Sequence, residues 1–281
     1  MRPRCFTAGF VALLVGVTAT YGQEPKPRDP NLAHPTQVVT VAGKGYTLSG
    51  LVTHRQDANR IRYGLALFPG APGILKIRDE GGEPRFELRG NFLVRSRRHW
   101  LDEETLVVVV DAPSDQWGTF DHEFREQPRY GADVAALLKE VGQRHGVEDW
   151  TFIGTSEGSV SAFHAARMNP GLARRVILTS SLFLPSRNGP GLSRVNWEEL
   201  SAKVLWLHHE DDPCSYTMYA DALRFAEKSR SPLLTVRGGG PYRGEPCQAQ
   251  SAHGFVGVEV DTIKAMRSWL KTGVVPPTVA R

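Results

Sequence analysis

Apolar and polar residues follow two different periods along this chain, and together they predict strands that alternate with helices. Short apolar runs bounded by turn residues predict strands, because the side chains of an extended chain alternate between two faces. Longer stretches with apolar residues three or four positions apart predict helices. The run at residues 106–110 is apolar throughout, which is typical of a strand covered on both faces.

The two periods divide most of the chain into elements. Strands are predicted at residues 38–41, 46–54, 61–68, 105–110, 150–153, 175–179, 204–207 and 233–236. Helices are predicted at residues 129–145, 157–168, 216–228 and 258–270. The first two strands predict an antiparallel hairpin, and the others predict an α/β fold with a mostly parallel central sheet and helices on both faces. Ligand sites on such sheets lie at the carboxyl ends of the strands.

The first 22 residues have the pattern of a secretory signal peptide. Arg2 and Arg4 precede an uncharged apolar run at residues 5–19, which is shorter than the roughly 20 residues of a membrane-spanning helix. We therefore expect the protein to be secreted or periplasmic, with no stable membrane insertion after residues 1–22 are removed. Cleavage after Ala19 and cleavage after Gly22 both fit, and an uncleaved N-terminal anchor is the alternative interpretation.

Three further segments are predicted after this leader. Residues 23–37 contain four prolines and predict an extended linker. Residues 38–271 carry the alternating strands and helices and form the α/β domain. Residues 272–281 are predicted to be a flexible tail.

The composition is that of a folded globular protein. The chain has 281 residues, of which 41% are hydrophobic and 23% are charged, and this excludes a disordered chain or a small disulfide-dense scaffold. Loss of residues 1–22 removes two arginines and no acid, which lowers the formal net charge from +4 to +2. Such a small charge gives no reason to expect a nucleic-acid partner. The oligomeric state stays open.

Two cysteines remain once Cys5 is lost with the leader. Cys214 and Cys247 are an even number of cysteines in a chain expected to be exported, which favours a disulfide between them.

A serine turn lies between a predicted strand and a predicted helix. The segment Gly154-Thr-Ser156-Glu-Gly158 has the pattern Gly-x-Ser-x-Gly in the setting where a sharp turn exposes a nucleophilic hydroxyl. Small residues are needed on both sides because strand and helix crowd there, and the turn aims the backbone N–H of Glu157 at the same spot. The alternative interpretation is a serine that only caps the helix.

A serine hydroxyl needs a base to remove its proton, and the base needs an acid to orient it. His253 is the best candidate for the base, because it lies in a loop of small residues that returns to the carboxyl edge of the sheet. Other histidines lie in polar surroundings and are expected at the surface: His54, His99, His122 and His145. The acid is expected after the strand at residues 204–207, where Asp212 is the first choice, Asp211 the second and Glu210 a distant third.

The same segment also raises the question of a metal site. Residues 208–212 read His-His-Glu-Asp-Asp, and these side chains are metal ligands elsewhere. Adjacent residues on a strand, however, point to opposite faces, and no second cluster of ligands stands out. We therefore predict no metal and no cofactor.

The Gly-x-Ser-x-Gly turn, the chain order Ser156, Asp212, His253 and the strand order together resemble the α/β-hydrolase fold family, over about residues 38–270. Residues 208–213 are similar to the family's His-Gly-x-x-Asp turn, although His209 stands where the family usually has glycine. The resemblance implies an oxyanion hole formed by the backbone N–H groups of Glu157 and Ala71, with Gly70 as the alternative second donor. Many members of the family insert a lid between the strands predicted at residues 175–179 and 204–207. Here that segment, residues 182–201, is short, so we expect a short or absent lid.

This resemblance implies an exported serine hydrolase that acts through an acyl-enzyme, most simply a carboxylesterase with a small-molecule ester or acyl substrate. A serine peptidase or other acyl hydrolase on the same fold is one alternative, and a catalytically inactive, hydrolase-like binding protein is another. Cys214 follows Asp212 by two residues and Cys247 precedes His253 by six, so a disulfide would tie the acid loop to the base loop.

Overall fold

In a computed structural model of the chain, residues 33–276 and 278–280 are described. The predicted signal peptide and most of the predicted linker lie outside the described residues. The first strand begins at Thr36, inside the last residues of that linker. No helix of the described part is long and apolar enough to cross a membrane.

Strands and helices alternate along the described chain as the hydrophobic pattern predicts. The strands are β1 (Thr36–Ala42), β2 (Thr47–His54), β3 (Tyr63–Phe68), β4 (Arg78–Glu80), β5 (Glu83–Arg85), β6 (Thr105–Val110), β7 (Asp149–Thr155), β8 (Ala173–Thr179), β9 (Lys203–His209), β10 (Leu233–Val236) and β11 (Thr278–Val279). The α-helices are α1 (Phe92–Arg95), α2 (His122–Arg125), α3 (Pro128–His145), α4 (Gly158–Met168), α5 (Tyr219–Lys228) and α6 (Glu259–Thr272).

Nine of these strands form one sheet in the order β1-β2-β6-β3-β7-β8-β9-β10-β11. The pairs from β6 to β11 are parallel, whereas β2 is antiparallel to both β1 and β6. The prediction of a mostly parallel sheet with an antiparallel opening hairpin is therefore confirmed. The carboxyl ends of β3, β7, β8 and β9 consequently lie at one edge of the sheet.

Apolar side chains cover both faces of this sheet. Helices α3, α4 and α5 pack on one face, where Val108 of β6 belongs to the core. Helix α6 and the short helix α1 pack on the other face, where Val107 and Val109 belong to the core. Neighbouring valines of β6 thus enter opposite layers, which is why this strand is apolar at every position.

Several short elements were not predicted from the sequence. The β4–β5 hairpin and helices α1 and α2 have only three or four residues each, which is too short for a hydrophobic period to show. The predicted helix at residues 216–228 begins at Tyr219, because Thr217 lies in a turn in which its N–H donates to the carbonyl of Cys214.

The C-terminal segment also contains secondary structure that the sequence analysis did not predict. Thr278 and Val279 pair in parallel with β10, and the Arg237 N–H donates to the Val279 carbonyl at 2.8 Å. Val279 is buried against the core of the α6 face. A two-residue strand leaves no periodic signal, so only its partner strand identifies it.

Candidate active site

The serine turn joins β7 to α4 at the carboxyl edge of the sheet. Ser156 has φ 52°, a left-handed conformation that is unusual for serine, and its N–H donates to the Thr179 carbonyl at 3.0 Å. A Cβ added to Gly154 would lie 2.3 Å from the Gly158 carbonyl oxygen, and one added to Gly158 would lie 2.0 Å from the Phe68 carbonyl oxygen. Both glycines are therefore required by the close approach of β3, β7 and α4.

The loop after β3 lies beside this serine. A Cβ added to Gly70 would lie 3.1 Å from the Cβ of Ser156, and Gly70, Ala71 and Ser156 line one pocket. The buried Asp111 carboxylate, just after β6, accepts the backbone N–H groups of Leu75 at 2.6 Å and Ile77 at 2.7 Å. These contacts hold the loop against the sheet edge. Burial outweighs the hydrogen bonds and raises the pKa of Asp111 to about 6.

The side chain of Glu157 is buried against α2. Its Oε1 accepts hydrogen bonds from His122 Nε2 at 3.1 Å and Asn188 Nδ2 at 2.8 Å, and the buried Arg125 guanidinium lies 4.0 Å away. Burial acts to raise the pKa of Glu157, but the bond from His122, the charge of Arg125 and the bond from Asn188 together lower it. Arg125 also donates to the Pro72 carbonyl at 3.2 Å, so one cation lies near the side chain of Glu157 and contacts the loop of Ala71, the two residues whose N–H groups are predicted to form the oxyanion hole.

His122 is fully buried, and the expectation that it lies at the surface is wrong. Its Nδ1 accepts the Gly191 N–H at 3.1 Å, which leaves Nε2 to carry the proton donated to Glu157. The partners lie 35 and 69 residues away in sequence, so the polar residues next to His122 gave no sign of its burial.

Asp212 lies in the turn after β9, and its side chain is fully buried. The carboxylate accepts the Cys214 N–H at 3.0 Å, the Thr217 hydroxyl at 2.9 Å and His253 Nδ1 at 3.0 Å. The two alternatives for the acid are placed elsewhere. Glu210 forms an ion pair with Arg237 at 2.7 Å, and Asp211 is exposed to solvent.

His253 lies in a one-turn 3₁₀ helix (Ala252–Gly254) between β10 and α6. Its N–H donates to the Ser251 hydroxyl at 3.1 Å, and its carbonyl accepts the Ser180 hydroxyl at 2.8 Å. Because Nδ1 faces Asp212, the other ring nitrogen, Nε2, remains for a proton from the pocket. The ring is almost completely buried, with 5% of the side chain exposed.

The next residue, Gly254, connects the histidine turn to α1. Its carbonyl accepts Arg95 Nη2 at 2.6 Å, and the same guanidinium forms an ion pair with Glu259 at 3.0 Å. A Cβ on Gly254 would lie 2.0 Å from the Ala249 carbonyl oxygen, so this position has no room for a side chain. The backbone on both sides of the imidazole is thus held by hydrogen bonds to Ser251, Ser180 and Arg95.

The structure contains the predicted disulfide. Cys214 and Cys247 are bonded, with their Cα atoms 4.6 Å apart. Cys214 is buried beside Asp212, whereas Cys247 is exposed and lines the same pocket as Ser156 and His253. The turn that carries Asp212 and the loop that leads to His253 are therefore covalently joined.

This pocket has a volume of about 390 Å³ and brings together Ala71, Ser156 and His253. Asp212 lies behind the imidazole, and the Glu157 backbone belongs to the serine turn. The other wall-forming side chains come from residues 88–92 and 243–250 and are mostly neutral: Leu88, Asn91, Phe92, Arg243, Gln248 and Gln250. The segment where a lid would be expected, residues 182–201, contains only a three-residue 3₁₀ helix, Trp197–Glu199.

Three supporting residues were missed by the sequence analysis. Thr217 bridges the acid and the base, since its hydroxyl lies 2.9 Å from Asp212 Oδ2 and 3.2 Å from His253 Nδ1. Its place five residues after Asp212 is the only sequence signal that pointed to it. Arg95 and His122 lie far from their partners along the chain and left no signal at all.

Comparison with solved structures identifies the architecture. The chain is similar to Est1E from Butyrivibrio proteoclasticus, with a TM-score of 0.55 and 12% identity over 83% of this chain and 98% of that one. It is also similar to XC6422 from Xanthomonas campestris, described as an α/β serine hydrolase without a lid, with a TM-score of 0.54 and 16% identity over 86% and 97% of the two chains. A third similar structure is a cold-adapted esterase from an Arctic intertidal metagenomic library, determined with bound PEG, with a TM-score of 0.52 and 14% identity over 77% and 90% of the chains.

At the level of sequence, no family model and no curated protein matches this chain. Identities of 12–16% support the fold and leave the chemistry to be argued from the site itself.

Proposed function

We propose that this chain, which has the α/β-hydrolase fold, is an exported serine hydrolase that cleaves small carboxylic esters through Ser156, His253 and Asp212. One observation carries the proposal: Asp212 lies 3.0 Å from Nδ1 of a histidine whose ring borders the same pocket as a serine on a strained strand-to-helix turn. A serine that only capped a helix would need neither the histidine nor the buried carboxylate.

In the proposed first step, His253 accepts the proton of the Ser156 hydroxyl while the serine oxygen attacks the ester carbonyl carbon. Asp212 accepts the Nδ1 hydrogen bond and stabilises the imidazolium that forms. The carbonyl oxygen becomes an oxyanion that is held by the N–H groups of Glu157 and Ala71. Each such donor contributes about 3 kcal/mol to lowering the barrier in enzymes of this kind.

The second half returns the enzyme to its starting state. His253 gives its proton to the leaving alcohol, the C–O bond breaks, and the acyl group remains on Ser156. Water then loses a proton to His253 and attacks the acyl carbon. The bond from that carbon to the serine oxygen breaks, His253 returns its proton to Ser156, and the acid is released. No cofactor takes part in this sequence.

The dimensions of the pocket favour a small ester over a folded protein or a long peptide. A volume of about 390 Å³ is near the lower end of the range for small-molecule sites. The disulfide between Cys214 and Cys247 supports the proposal of export, because such bonds persist in oxidising compartments.

The test is labelling of the purified, oxidised protein with a fluorophosphonate probe, beside Ser156→Ala. The matched control is Ser193→Ala, which removes the hydroxyl of an exposed loop serine. We expect labelling of the wild type and of Ser193→Ala, and none of Ser156→Ala. A folded wild type that stays unlabelled would favour the inactive binding protein, and cleavage of peptides in place of esters would favour the peptidase.

A further inference from the structure

The pocket beside Ser156 has a one-sided charge. Arg243 and the imidazole of His253 are the only titratable side chains of the described residues that line it, and no aspartate or glutamate does. The remaining polar lining groups are amides and hydroxyls, including Asn91, Gln248 and Gln250. Such a wall attracts a negatively charged ligand and imposes no penalty from a nearby carboxylate.

Arg243 stands on an anchored part of the chain. The N–H groups of Arg243 and Gly244 both donate to the Gln250 carbonyl, at 3.0 and 3.2 Å. Within the same loop, the Ser251 hydroxyl donates to the Pro246 carbonyl at 2.9 Å, and Cys247 is bonded to Cys214. The backbone that carries this arginine is therefore held in place before any ligand binds.

The charge of Arg243 is not used inside the described part of the protein. No carboxylate there lies within the 4.0 Å of an ion pair from its guanidinium, including that of Glu245 two residues away. By contrast, Arg237 at the start of the same excursion pairs with Glu210 at 2.7 Å. Arg89 lies between the pocket residues Leu88 and Gly90 and rests over the ring of Phe86 at 4.6 Å, and among residues 33–276 and 278–280 it has no carboxylate partner either.

Position along the chain indicates which half of an ester would meet Arg243. Arg243 and His253 belong to the same excursion between β10 and α6. In the mechanism proposed above, the base delivers its proton to the oxygen of the leaving alcohol, so the alcohol part lies on the side of His253. A charge on the alcohol part is therefore placed beside the Arg243 loop as part of the inference, since residues of the segment 243–250 and His253 line the same pocket.

We infer that the substrate is a small ester whose alcohol part carries a carboxylate, and that Arg243 binds this carboxylate. The inference rests on the proposed ester hydrolysis and narrows its substrate class. The guanidinium supplies a planar pair of donors that matches a carboxylate, while the neutral amides nearby add further donors.

The test compares the butyrate ester of 4-hydroxybenzoate with the same compound methylated at its carboxylate. We expect Arg243→Gln to lower the ratio of kcat/KM for the charged ester to that for the neutral ester by about tenfold, the size of one charge-assisted contact open to solvent. Arg243→Lys should keep part of the ratio, and raising the salt concentration should reduce it in the wild type. Each variant is described by its own ratio of kcat/KM for the charged ester to kcat/KM for the neutral ester. Comparing this ratio between variants cancels the difference in leaving-group reactivity between the two esters and any difference in the folded fraction between the variants.

Arg60→Gln is the matched control, because it removes the same charge from an exposed site before β3, at the opposite edge of the sheet. If the ratio fell equally in Arg243→Gln and Arg60→Gln, the effect would be due to the net charge of the protein, and the inference would be overturned. A second pair of substrates places the charge on the acyl part: the mono-4-nitrophenyl ester of glutarate is charged there, and 4-nitrophenyl valerate is its neutral match. A dependence on Arg243 confined to this pair would overturn the placement on the alcohol.

A binding measurement separates this inference from the proposed chemistry. In Ser156→Ala protein, calorimetry should show tighter binding of 4-butyryloxybenzoate than of its methyl ester, and Arg243→Gln should remove most of the difference. Equal binding of the two compounds would overturn the inference even if the wild type reacts with a fluorophosphonate. Missing fluorophosphonate reactivity would instead overturn the proposed function.

Discussion

Ser156 sits where β7 meets α4, whereas Asp212 and His253 sit on loops that leave the sheet. The serine is positioned by backbone packed on backbone, since a Cβ on Gly158 would come within 2.0 Å of the Phe68 carbonyl oxygen. Asp212 and His253, the proposed acid and base, are positioned by side-chain contacts and by a covalent bond between Cys214 and Cys247. Both regions line or support one pocket.

The two regions are therefore sensitive to different kinds of substitution. The serine turn cannot shift without disturbing the sheet, so damage there is damage to the fold. The acid–base pair depends on discrete contacts that can be removed singly, so damage there can be limited to chemistry. The predictions below separate these two kinds of damage, beginning with the largest effect.

The largest effect is expected at the acid. Asp212→Asn keeps the shape of the side chain but offers an NH₂ group where His253 Nδ1 needs an acceptor, so the imidazole would turn to the wrong tautomer. We expect kcat for ester hydrolysis to fall by about 10⁴-fold, as when a triad carboxylate is replaced by its amide. Asp211→Asn, at the exposed neighbour, is the control and should retain activity. A similar loss in both variants would contradict the assignment of the acid.

Gly158→Ala should act on the fold rather than on the chemistry alone. The new methyl group would enter the backbone of β3, which cannot move away as a flexible side chain could. We expect the free energy of unfolding to fall by about 4 kcal/mol or more, measured by denaturant unfolding. Gly171→Ala is a control, because a Cβ there meets nothing within 4 Å. A stable, active Gly158→Ala protein would show that the crowding at the serine turn is not required.

Removal of the disulfide should affect both stability and the acid–base pair. The bond closes a loop with a sequence separation of 33, and the chain-entropy model gives about 3–4 kcal/mol for a loop of this size. We expect reduction, or a Cys214→Ser and Cys247→Ser double variant, to lower the melting temperature and kcat together. Unchanged activity and melting temperature would contradict the idea that the bond holds the geometry of Asp212 and His253.

Acidification should weaken the end of β9, next to the acid turn. Burial lowers the pKa of His208 to about 3, and its Nε2 accepts the Ser181 N–H at 3.0 Å. The unfolded chain, with a histidine pKa of about 6.5, binds more protons between these values, so the free energy of unfolding falls as the pH drops below 6.5. At pH 5 the loss due to His208 alone should be about 2 kcal/mol.

The measurement is denaturant unfolding of the wild type and His208→Asn at pH 7 and pH 5, with His54→Asn as the control. His208→Asn should lose less stability on acidification than the wild type. The pH dependence of the free energy of unfolding that remains in His208→Asn is due to other groups. One of them is His164, because burial lowers its pKa to about 3. The same pH dependence in the wild type and His208→Asn would contradict the prediction.

The smallest effect is expected for Thr217→Val, which keeps the shape of the side chain but removes the hydroxyl that donates to Asp212 at 2.9 Å. Loss of one hydrogen bond to a buried carboxylate should cost about 1–3 kcal/mol in stability, and kcat should fall far less than in Asp212→Asn. Ser215→Ala, in the same turn but exposed, provides the comparison. If kcat fell as far as in Asp212→Asn, Thr217 would be more than a support for the acid.

The elements that the sequence predicted well have a local cause. The strands and the long helices follow from side-chain periods that each segment carries by itself, and the mostly parallel sheet follows from their alternation. The serine turn can also be recognised locally, because the pattern Gly-x-Ser-x-Gly lies within five residues, although the backbone that crowds Gly158 belongs to the distant strand β3. Asp212 was selected as the residue after a strand end, which is likewise a local property.

Contacts between distant residues account for what was missed. Arg95 and the Gly254 carbonyl that it holds are 159 residues apart, and His122 was expected at the surface because its partners, Glu157 and Gly191, could not be recognised from its neighbours. The strand Thr278–Val279 exists only because β10 offers a free edge. None of these leaves a period or a motif in the chain.

The order of strands and helices and the position of the serine turn can therefore be predicted from the chain alone, since each leaves a side-chain period or a short motif among neighbouring residues. Three features depend on the folded domain: which donors surround Asp212, how the loop of His253 is held, and that Arg243, which has no carboxylate partner among the described residues, borders the pocket. Those depend on segments meeting across the sheet edge, and distances between such segments are set by the packing of the whole domain.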